Sequence, residues 1–177
     1  MKTVMFSLAT MIGLALALGG SSVQAQELKV GDKAPDFSLK GTDGKTYSLA
    51  DFKGKKGVVI AWFPKADTSG CTAECKSFTA NGEALRATSV AYFTASVDKP
   101  EDNLKFVEKH SFNFPILSDP DKTTAKAYGV LNARGMANRW TFYIDKEGVI
   151  KEIDKKIATG KAGEDAVVKI KSLGIGG

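Results

Sequence analysis

The apolar run 57–63 is the feature that most constrains how this chain can fold. It reads Gly-Val-Val-Ile-Ala-Trp-Phe and contains no charged or hydroxyl side chain. A strand with one face in water alternates apolar and polar residues, whereas a continuous apolar run indicates a central strand covered on both faces. Further layers of structure must therefore lie on both sides of a sheet, as is typical of an α/β domain.

Predicted helices and strands alternate around that run. A turn signal at Thr42-Asp43-Gly44 joins two short strands into a β-hairpin. The later patterns predict a helix over 70–86, a strand over 89–97, a helix capped by Asp98 and ending near 110, a strand over 114–117, a helix over 122–128, paired strands over 139–145 and 149–153, and a helix over 163–173. This order indicates a thioredoxin-like α/β fold with an N-terminal β-hairpin extension.

Residues 1–25 are predicted to be a signal peptide that is not part of the fold. Lys2 precedes an apolar segment over 4–18, which is shorter than a comfortable membrane span, and Val23-Gln24-Ala25 fits a signal-peptidase site. Cleavage there would leave 26–177 as one periplasmic or secreted domain without stable membrane association. The alternative is an uncleaved N-terminal anchor. Export would place the thiols where disulfides persist.

Charge and cysteine content exclude two kinds of protein. The chain carries 25 Lys and Arg against 20 Asp and Glu, a net charge of +5, and only Lys53-Gly54-Lys55-Lys56 forms a dense basic cluster. Nucleic-acid binding would need a basic stripe interleaved with aromatic side chains, so no nucleic-acid partner is expected. Two cysteines in 177 residues do not make a disulfide scaffold. Cys71 and Cys75 are therefore expected to carry chemistry.

Cys71 is predicted to lie in the first turn of the helix that follows the central strand. Unpaired backbone N–H groups and the helix dipole stabilise a thiolate at such a position. Thr68 can place a hydroxyl beside the sulfur, and Pro64 stiffens the turn between strand and helix. Arg139, at the start of a predicted strand, could supply a full positive charge. The alternatives are an inert buried thiol at Cys71 and a surface arginine at 139.

The residues around Cys71 resemble the active-site motif of a known enzyme family. Pro64-x-x-x-Thr68-x-x-Cys71 is similar to the P-x-x-x-T-x-x-C motif of peroxiredoxins, and the neighbouring residues resemble the bacterioferritin-comigratory-protein, or Q-type, branch. Arg139-x-Thr141-Phe142 resembles the second, arginine-bearing motif. The resemblance covers about 30–174. It implies a thioredoxin-fold peroxidase that reduces hydrogen peroxide and organic hydroperoxides without metal or organic cofactor. The expected reductant is a thioredoxin-like dithiol, and a monomer or homodimer is expected.

The same resemblance implies a role for each matching residue. Cys71 would be the peroxidatic nucleophile, which the peroxide oxidises to a sulfenic acid. Thr68 would hydrogen-bond the thiolate and the peroxide oxygens, and Pro64 would shield the sulfenate. Arg139 would stabilise the thiolate and the transition state, held by Glu74 at an acidic position found in many members.

Cys75 departs from the pattern of this branch, which usually places four residues between its two helix cysteines. Here three residues separate Cys71 from Cys75. Side chains at i and i+4 of a helix have Cβ atoms about 5–6 Å apart, whereas a disulfide needs about 3.5–4.5 Å. The first turn would therefore have to unwind before the two join. Cys75 is predicted to resolve the sulfenic acid through an intramolecular disulfide. The alternative is a packed core thiol, with an external thiol resolving Cys71.

A competing hypothesis assigns the cysteines to metal binding. Exported thioredoxin-fold copper-binding assembly proteins also carry C-x-x-x-C with a distant histidine, and soft thiolates select Cu(I). Cys71, Cys75 and His110, the one histidine of the chain, would be the ligands. A positive Arg139 beside the thiols would oppose metal binding, so this hypothesis is the weaker one. A dithiol–disulfide exchange protein would usually carry C-x-x-C and is weaker still.

Overall fold

A computed structural model describes residues 27–176 of the chain. Its strands are β1 (Ser38–Gly41), β2 (Thr46–Ser48), β3 (Val58–Trp62), β4 (Ala91–Ser96), β5 (Ile116–Ser118), β6 (Thr141–Ile144) and β7 (Ile150–Asp154). Its helices are α1 (Leu49–Phe52), α2 (Ser69–Ala80), α3 (Gly82–Ala87), α4 (Pro100–His110), α5 (Thr123–Ala127) and α6 (Ala162–Leu173), with a 3-10 turn at Thr159–Lys161. The predicted signal peptide lies outside the described residues. None of the described helices is long and apolar enough to cross a membrane.

The seven strands form one mixed sheet in the order β2-β1-β5-β4-β3-β6-β7. β3 pairs in parallel with β4 and antiparallel with β6, and all five of its residues are buried. Its side chains enter the core on both faces, with Val59 and Ala61 on one side and Val58, Ile60 and Trp62 on the other. The hairpin β1–β2 joins the sheet beside β5. The thioredoxin-like α/β fold with an N-terminal hairpin is therefore confirmed.

Three local predictions are wrong, and each error has a local cause. The helix predicted over 70–86 is two helices, because Asn81 leaves helical geometry and turns its side-chain amide onto the Ser77 carbonyl oxygen at 2.9 Å. Asp98 does not cap α4, whose cap is Lys99; the Asp98 carboxylate instead accepts the Ala66 N–H at 2.8 Å. Arg139 does not begin a strand, because β6 begins two residues later. The short helix α1 was not predicted.

Helix α6 holds the second half of α2 against the core. The Gly163 N–H donates to the Ser77 hydroxyl at 2.9 Å, and a Cβ atom at Gly163 would lie only 2.3 Å from the Ser77 carbonyl oxygen. The two backbones therefore touch at a point where only glycine fits. The first turn of α2 lies before this contact.

Replacing Gly163 with alanine is expected to lower the free energy of unfolding by about 1–3 kcal/mol, because the new methyl group would force α6 away from α2. Gly160→Ala is the matched control, since no atom lies within 4 Å of a Cβ atom at that position. Denaturant unfolding of both variants measures the effect. Equal free energies of unfolding for Gly163→Ala and Gly160→Ala would show that α2 and α6 can move apart without loss of stability.

Candidate active site

Cys71 lies in the first turn of α2, directly after the loop that leaves β3. Thr68, with extended backbone angles, is the N-cap residue, and its carbonyl oxygen accepts the Thr72 N–H at 2.8 Å. The backbone N–H groups of a first helical turn have no partners within the helix. The Cys71 side chain is fully buried. The sulfur therefore sits at the positive end of a helix, away from bulk water.

Arg139 joins Cys71 to Glu74. Its Nη2 donates to the Cys71 Sγ at 3.3 Å, and its Nη1 donates to the Glu74 Oε2. Gly70 makes room for this approach, because a Cβ atom there would lie 3.3 Å from Nη2. Burial alone would lower the pKa of Arg139, but the Glu74 carboxylate and the Cys71 sulfur outweigh burial and raise it. A permanent positive charge therefore contacts the sulfur and stabilises negative charge on it.

Glu74 is fully buried, and its carboxylate is only partly satisfied. Arg139 binds Oε2, whereas Oε1 has no hydrogen-bond partner among residues 27–176. Burial raises the pKa of Glu74 to about 7, and the Arg139 charge offsets only part of that rise. Glu74 thus changes its charge near neutral pH while holding the arginine that contacts the sulfur.

The pKa of Glu74 predicts how stability depends on pH. The folded protein keeps the Glu74 proton up to about pH 7, whereas an unfolded chain releases it near the ordinary glutamate pKa of 4.5. Raising the pH through that window is therefore expected to remove about 1–3 kcal/mol of the free energy of unfolding, and Glu74→Gln is expected to abolish this part of the loss. Urea unfolding at pH 4.5, 5.5, 6.5 and 7.5 (roughly spanning the window) measures the difference.

Glu83→Gln, on the exposed side of helix α3, controls for the removal of one carboxylate. Its curve of stability against pH is expected to run parallel to that of the wild type. A Glu74→Gln curve that also runs parallel to the wild type would contradict the assignment of the raised pKa to Glu74.

Among the described residues, the Thr68 hydroxyl forms no hydrogen bond with the Cys71 sulfur, although the sequence predicted that it lies beside it. Its hydroxyl donates to the Lys65 carbonyl oxygen at 3.1 Å, and the side chain is exposed. The loop turns sharply at Asp67, whose φ of 58° is left-handed, and the Thr68 hydroxyl closes this turn. The hydroxyl proton is donated to the Lys65 carbonyl oxygen. The hydroxyl oxygen can therefore still accept a hydrogen bond from a hydroperoxide O–H.

Pro64 lines a groove together with Arg139, the residue that contacts the buried sulfur. The groove has a volume of about 430 Å³. Its other lining residues belong to the loop before β6 and include Arg134, Met136 and Asn138. A small ligand in this groove would therefore lie beside Arg139, whose guanidinium contacts Cys71.

Cys75 lies one helical turn after Cys71 and is fully buried among core side chains. Both cysteines are free thiols. Burial, reinforced by the Glu74 charge, raises the pKa of Cys75 far above its ordinary value. A buried neutral thiol is a poor nucleophile. The role of Cys75 as the resolving residue stays a prediction.

His110 is not directed at the cysteines. It ends α4, and its Nε2 lies 3.0 Å from the Asp67 Oδ1, while Lys109 binds the other oxygen of that carboxylate at 2.6 Å. Within the part of the chain that the structure describes, no group of three or more His, Cys, Asp and Glu side chains could hold a metal ion. The copper hypothesis therefore has no support.

Sequence reasoning missed three parts of this site. It did not single out Asp67, which ties the loop before α2 to α4, or the loop before β6, which lines the groove. It also missed Thr94, a fully buried residue of β4. Only Thr94 carries a visible signal, a hydroxyl within an otherwise apolar stretch of strand, Ala-Tyr-Phe-Thr-Ala.

Comparisons with known proteins find related sequences and structures. Residues 30–153 match the model of the AhpC/TSA family. Peroxiredoxin Bcp of Escherichia coli (strain K12) is 36% identical over 133 residues, which are 71% of this chain and 85% of that protein. Peroxiredoxin Bcp of Bacillus subtilis (strain 168) is 38% identical over 133 residues, 71% of this chain and 84% of that protein. The crystal structure of peroxidoxin BcpB from Mycobacterium tuberculosis superposes with a TM-score of 0.75 at 26% identity, covering 82% of this chain and 98% of that one.

Proposed function

This chain belongs to the AhpC/TSA family and is a thiol-dependent peroxidase of the peroxiredoxin type, and we propose that Cys71 is the nucleophile with which it reduces hydroperoxides. One observation carries the assignment of the residue. The Cys71 sulfur lies in a first helical turn, 3.3 Å from the Arg139 guanidinium. Cys75, the other thiol, has neither feature. It lies one helical turn later in α2, and burial raises its pKa.

The reaction begins with attack of the Cys71 thiolate on one oxygen of the peroxide. An S–O bond forms, the O–O bond breaks, and both electrons of that bond leave with the second oxygen as hydroxide or alkoxide. The leaving oxygen takes a proton and departs as water or an alcohol, while Cys71 becomes a sulfenic acid. Arg139 is already in place to stabilise the charge that moves from sulfur to oxygen. Thr68 accepts a hydrogen bond from the incoming hydroperoxide, and Pro64 narrows the approach.

Cys75 is the proposed resolving residue. Its sulfur attacks the Cys71 sulfenic acid, an S–S bond forms, and the sulfenic oxygen leaves as water with the Cys75 proton. Since α6 holds the second half of α2 through Gly163, the first turn of α2 must unwind so that Cys71 moves toward Cys75. A thioredoxin-like dithiol then reduces the disulfide by thiol exchange. Hydrogen peroxide and organic hydroperoxides are the proposed substrates.

The proposed location follows from the residues before the described domain. A signal peptide over 1–25 would deliver residues 26–177 to the periplasm or the medium, as a monomer or homodimer. N-terminal sequencing of the protein recovered from the periplasmic fraction tests this proposal. A mature chain beginning at Gln26 is expected, and recovery of the intact Met1 terminus in the cytoplasm would contradict it.

Oxidation by one equivalent of hydrogen peroxide tests the chemistry. The wild type is expected to lose two thiols and form an intramolecular disulfide, seen by mass spectrometry. Cys75→Ser is expected to stop at a Cys71 sulfenic acid that dimedone traps. A lasting Cys71 sulfenic acid in the wild type would make Cys75 a core thiol and an external thiol the resolving group. Failure of Cys71 to react in either protein would refute its role as nucleophile.

A further inference from the structure

Thr94 places a hydroxyl in the core without an evident structural use. It lies in β4, paired with Ala61 of β3 on one side and Ile116 of β5 on the other. The side chain is fully buried, and its Oγ1 has no hydrogen-bond partner within the described range 27–176. A buried hydroxyl without a partner is costly, and valine would fill the same volume without that cost.

Thr94 points to the side of the sheet on which Cys75 packs, because its partners in register, Ala61 and Ile116, lie in the same core cluster as Cys75. Burial and the negative charge of Glu74 raise the pKa of Cys75, whereas an approach of the Thr94 hydroxyl lowers it. The other ionisable groups that act on this sulfur are Cys71 and Arg139. Among these groups Thr94 is the neutral hydrogen-bond donor. Its hydroxyl has no hydrogen-bond partner in the described chain and is available to donate.

We propose that Thr94 is a positioning residue for Cys75, whose hydroxyl donates a hydrogen bond to the sulfur while the thiol attacks the Cys71 sulfenic acid. The inference rests on the proposed role of Cys75 as the resolving residue. The Cys75 sulfur gains the S–S bond, the S–O bond of Cys71 breaks, and the Cys75 proton leaves with the oxygen as water. Negative charge builds on the Cys75 sulfur before the S–S bond is complete, and this charge needs a donor in the dry core.

The fold keeps the two residues together during the reaction. β4 lies between β3 and β5 inside the sheet, so Thr94 cannot move without disturbing three strands. Cys75 lies between the first turn of α2 and the contact of Ser77 with Gly163. Unwinding of the first turn therefore moves Cys71, whereas Cys75 stays in the core on the side of the sheet to which Thr94 points.

Rapid-mixing kinetics of Thr94→Val tests the inference. The rate constant of sulfenic acid formation at Cys71 is expected to equal that of the wild type. Disulfide formation is expected to slow by about 10–100-fold, the factor for losing a hydrogen bond to a charged group, and its pH profile is expected to move to higher pH. Thr94→Ser restores a hydroxyl and is expected to recover most of the rate.

The melting temperature of Thr94→Val is expected to equal or exceed that of the wild type, because the variant removes an unpartnered polar atom.

Two outcomes would overturn the inference. One is a Thr94→Val protein that forms its disulfide at the wild-type rate and pH, and the other is equal slowing in Thr94→Val and Thr94→Ser. Failure of the underlying function is distinguishable, because the wild type itself would then form no disulfide. Cys75→Ser, with and without Thr94→Val, provides the last control. The sulfenic acid is expected to persist equally in both proteins, and a difference between them would place the effect of Thr94 on Cys71 instead.

Discussion

Replacing Cys71 with serine is expected to abolish peroxide reduction. A serine hydroxyl beside Arg139 remains protonated at neutral pH, and its oxygen lacks the soft, polarisable electrons that attack a peroxide bond. The guanidinium that contacts the sulfur can still bond to the new hydroxyl, so the fold is expected to survive the change. Peroxide consumption in the presence of a dithiol reductant measures the loss, and circular dichroism with thermal unfolding verifies the fold.

Cys75→Ser is the matched control for this loss, because it removes the other thiol of the same helix. It is expected to react once with peroxide at the wild-type rate and then to recycle poorly. A Cys71→Ser protein that keeps more than about a tenth of the wild-type turnover, which corresponds to about 1.4 kcal/mol of barrier, would mean that the chemistry lies elsewhere.

Replacing Arg139 with methionine is expected to slow oxidation of Cys71 by about 10²–10³-fold, the usual cost of removing one preorganised charge-stabilising donor. Methionine has similar length but no charge, so both the bond to the sulfur and the bond to Glu74 are lost. Stopped-flow measurement of Cys71 oxidation under single-turnover conditions isolates this step. The fold is expected to tolerate the change, because burial raises the pKa of Glu74 and its carboxyl can become neutral without the arginine.

Arg86→Met is the control, since this exposed arginine of α3 lies outside the groove and has no ion pair among residues 27–176. It is expected to react with hydrogen peroxide at the wild-type rate. Arg139→Lys is expected to fall between the wild type and Arg139→Met, because an ammonium keeps the charge but lacks the planar fork that reaches Cys71 and Glu74 together. An Arg139→Met rate within threefold of the wild type would contradict the proposed role of the guanidinium.

Much of the site was predictable from residues that are neighbours in sequence. The apolar run before Pro64 predicted the buried strand β3, and the position of Cys71 predicted a thiol in the first helical turn. The proximity of Arg139 to the sulfur was also predicted, and the structure places the two groups in contact. Thr68 shows the limit of this reasoning. Its spacing from Cys71 is right, but the direction of its hydroxyl depends on the left-handed turn at Asp67.

By itself the sequence determined the order of the strands and of most helices, the position of Cys71 in a first helical turn and the one-turn spacing of the two thiols. These features depend on interactions between residues a few positions apart. Hydrophobic periodicity and turn-forming residues indicate such interactions directly. The resemblance implied that Arg139 acts with Cys71 and Glu74, which lie 68 and 65 positions away, but only the tertiary structure decided which guanidinium nitrogen binds each of them. Only the tertiary structure decided, too, that Thr94 lies on the Cys75 side of the sheet. Such contacts depend on strand register and on how α2 packs across the sheet. The physical reason is that many distant residue pairs share the same local pattern, and only the packed core selects which of them meet.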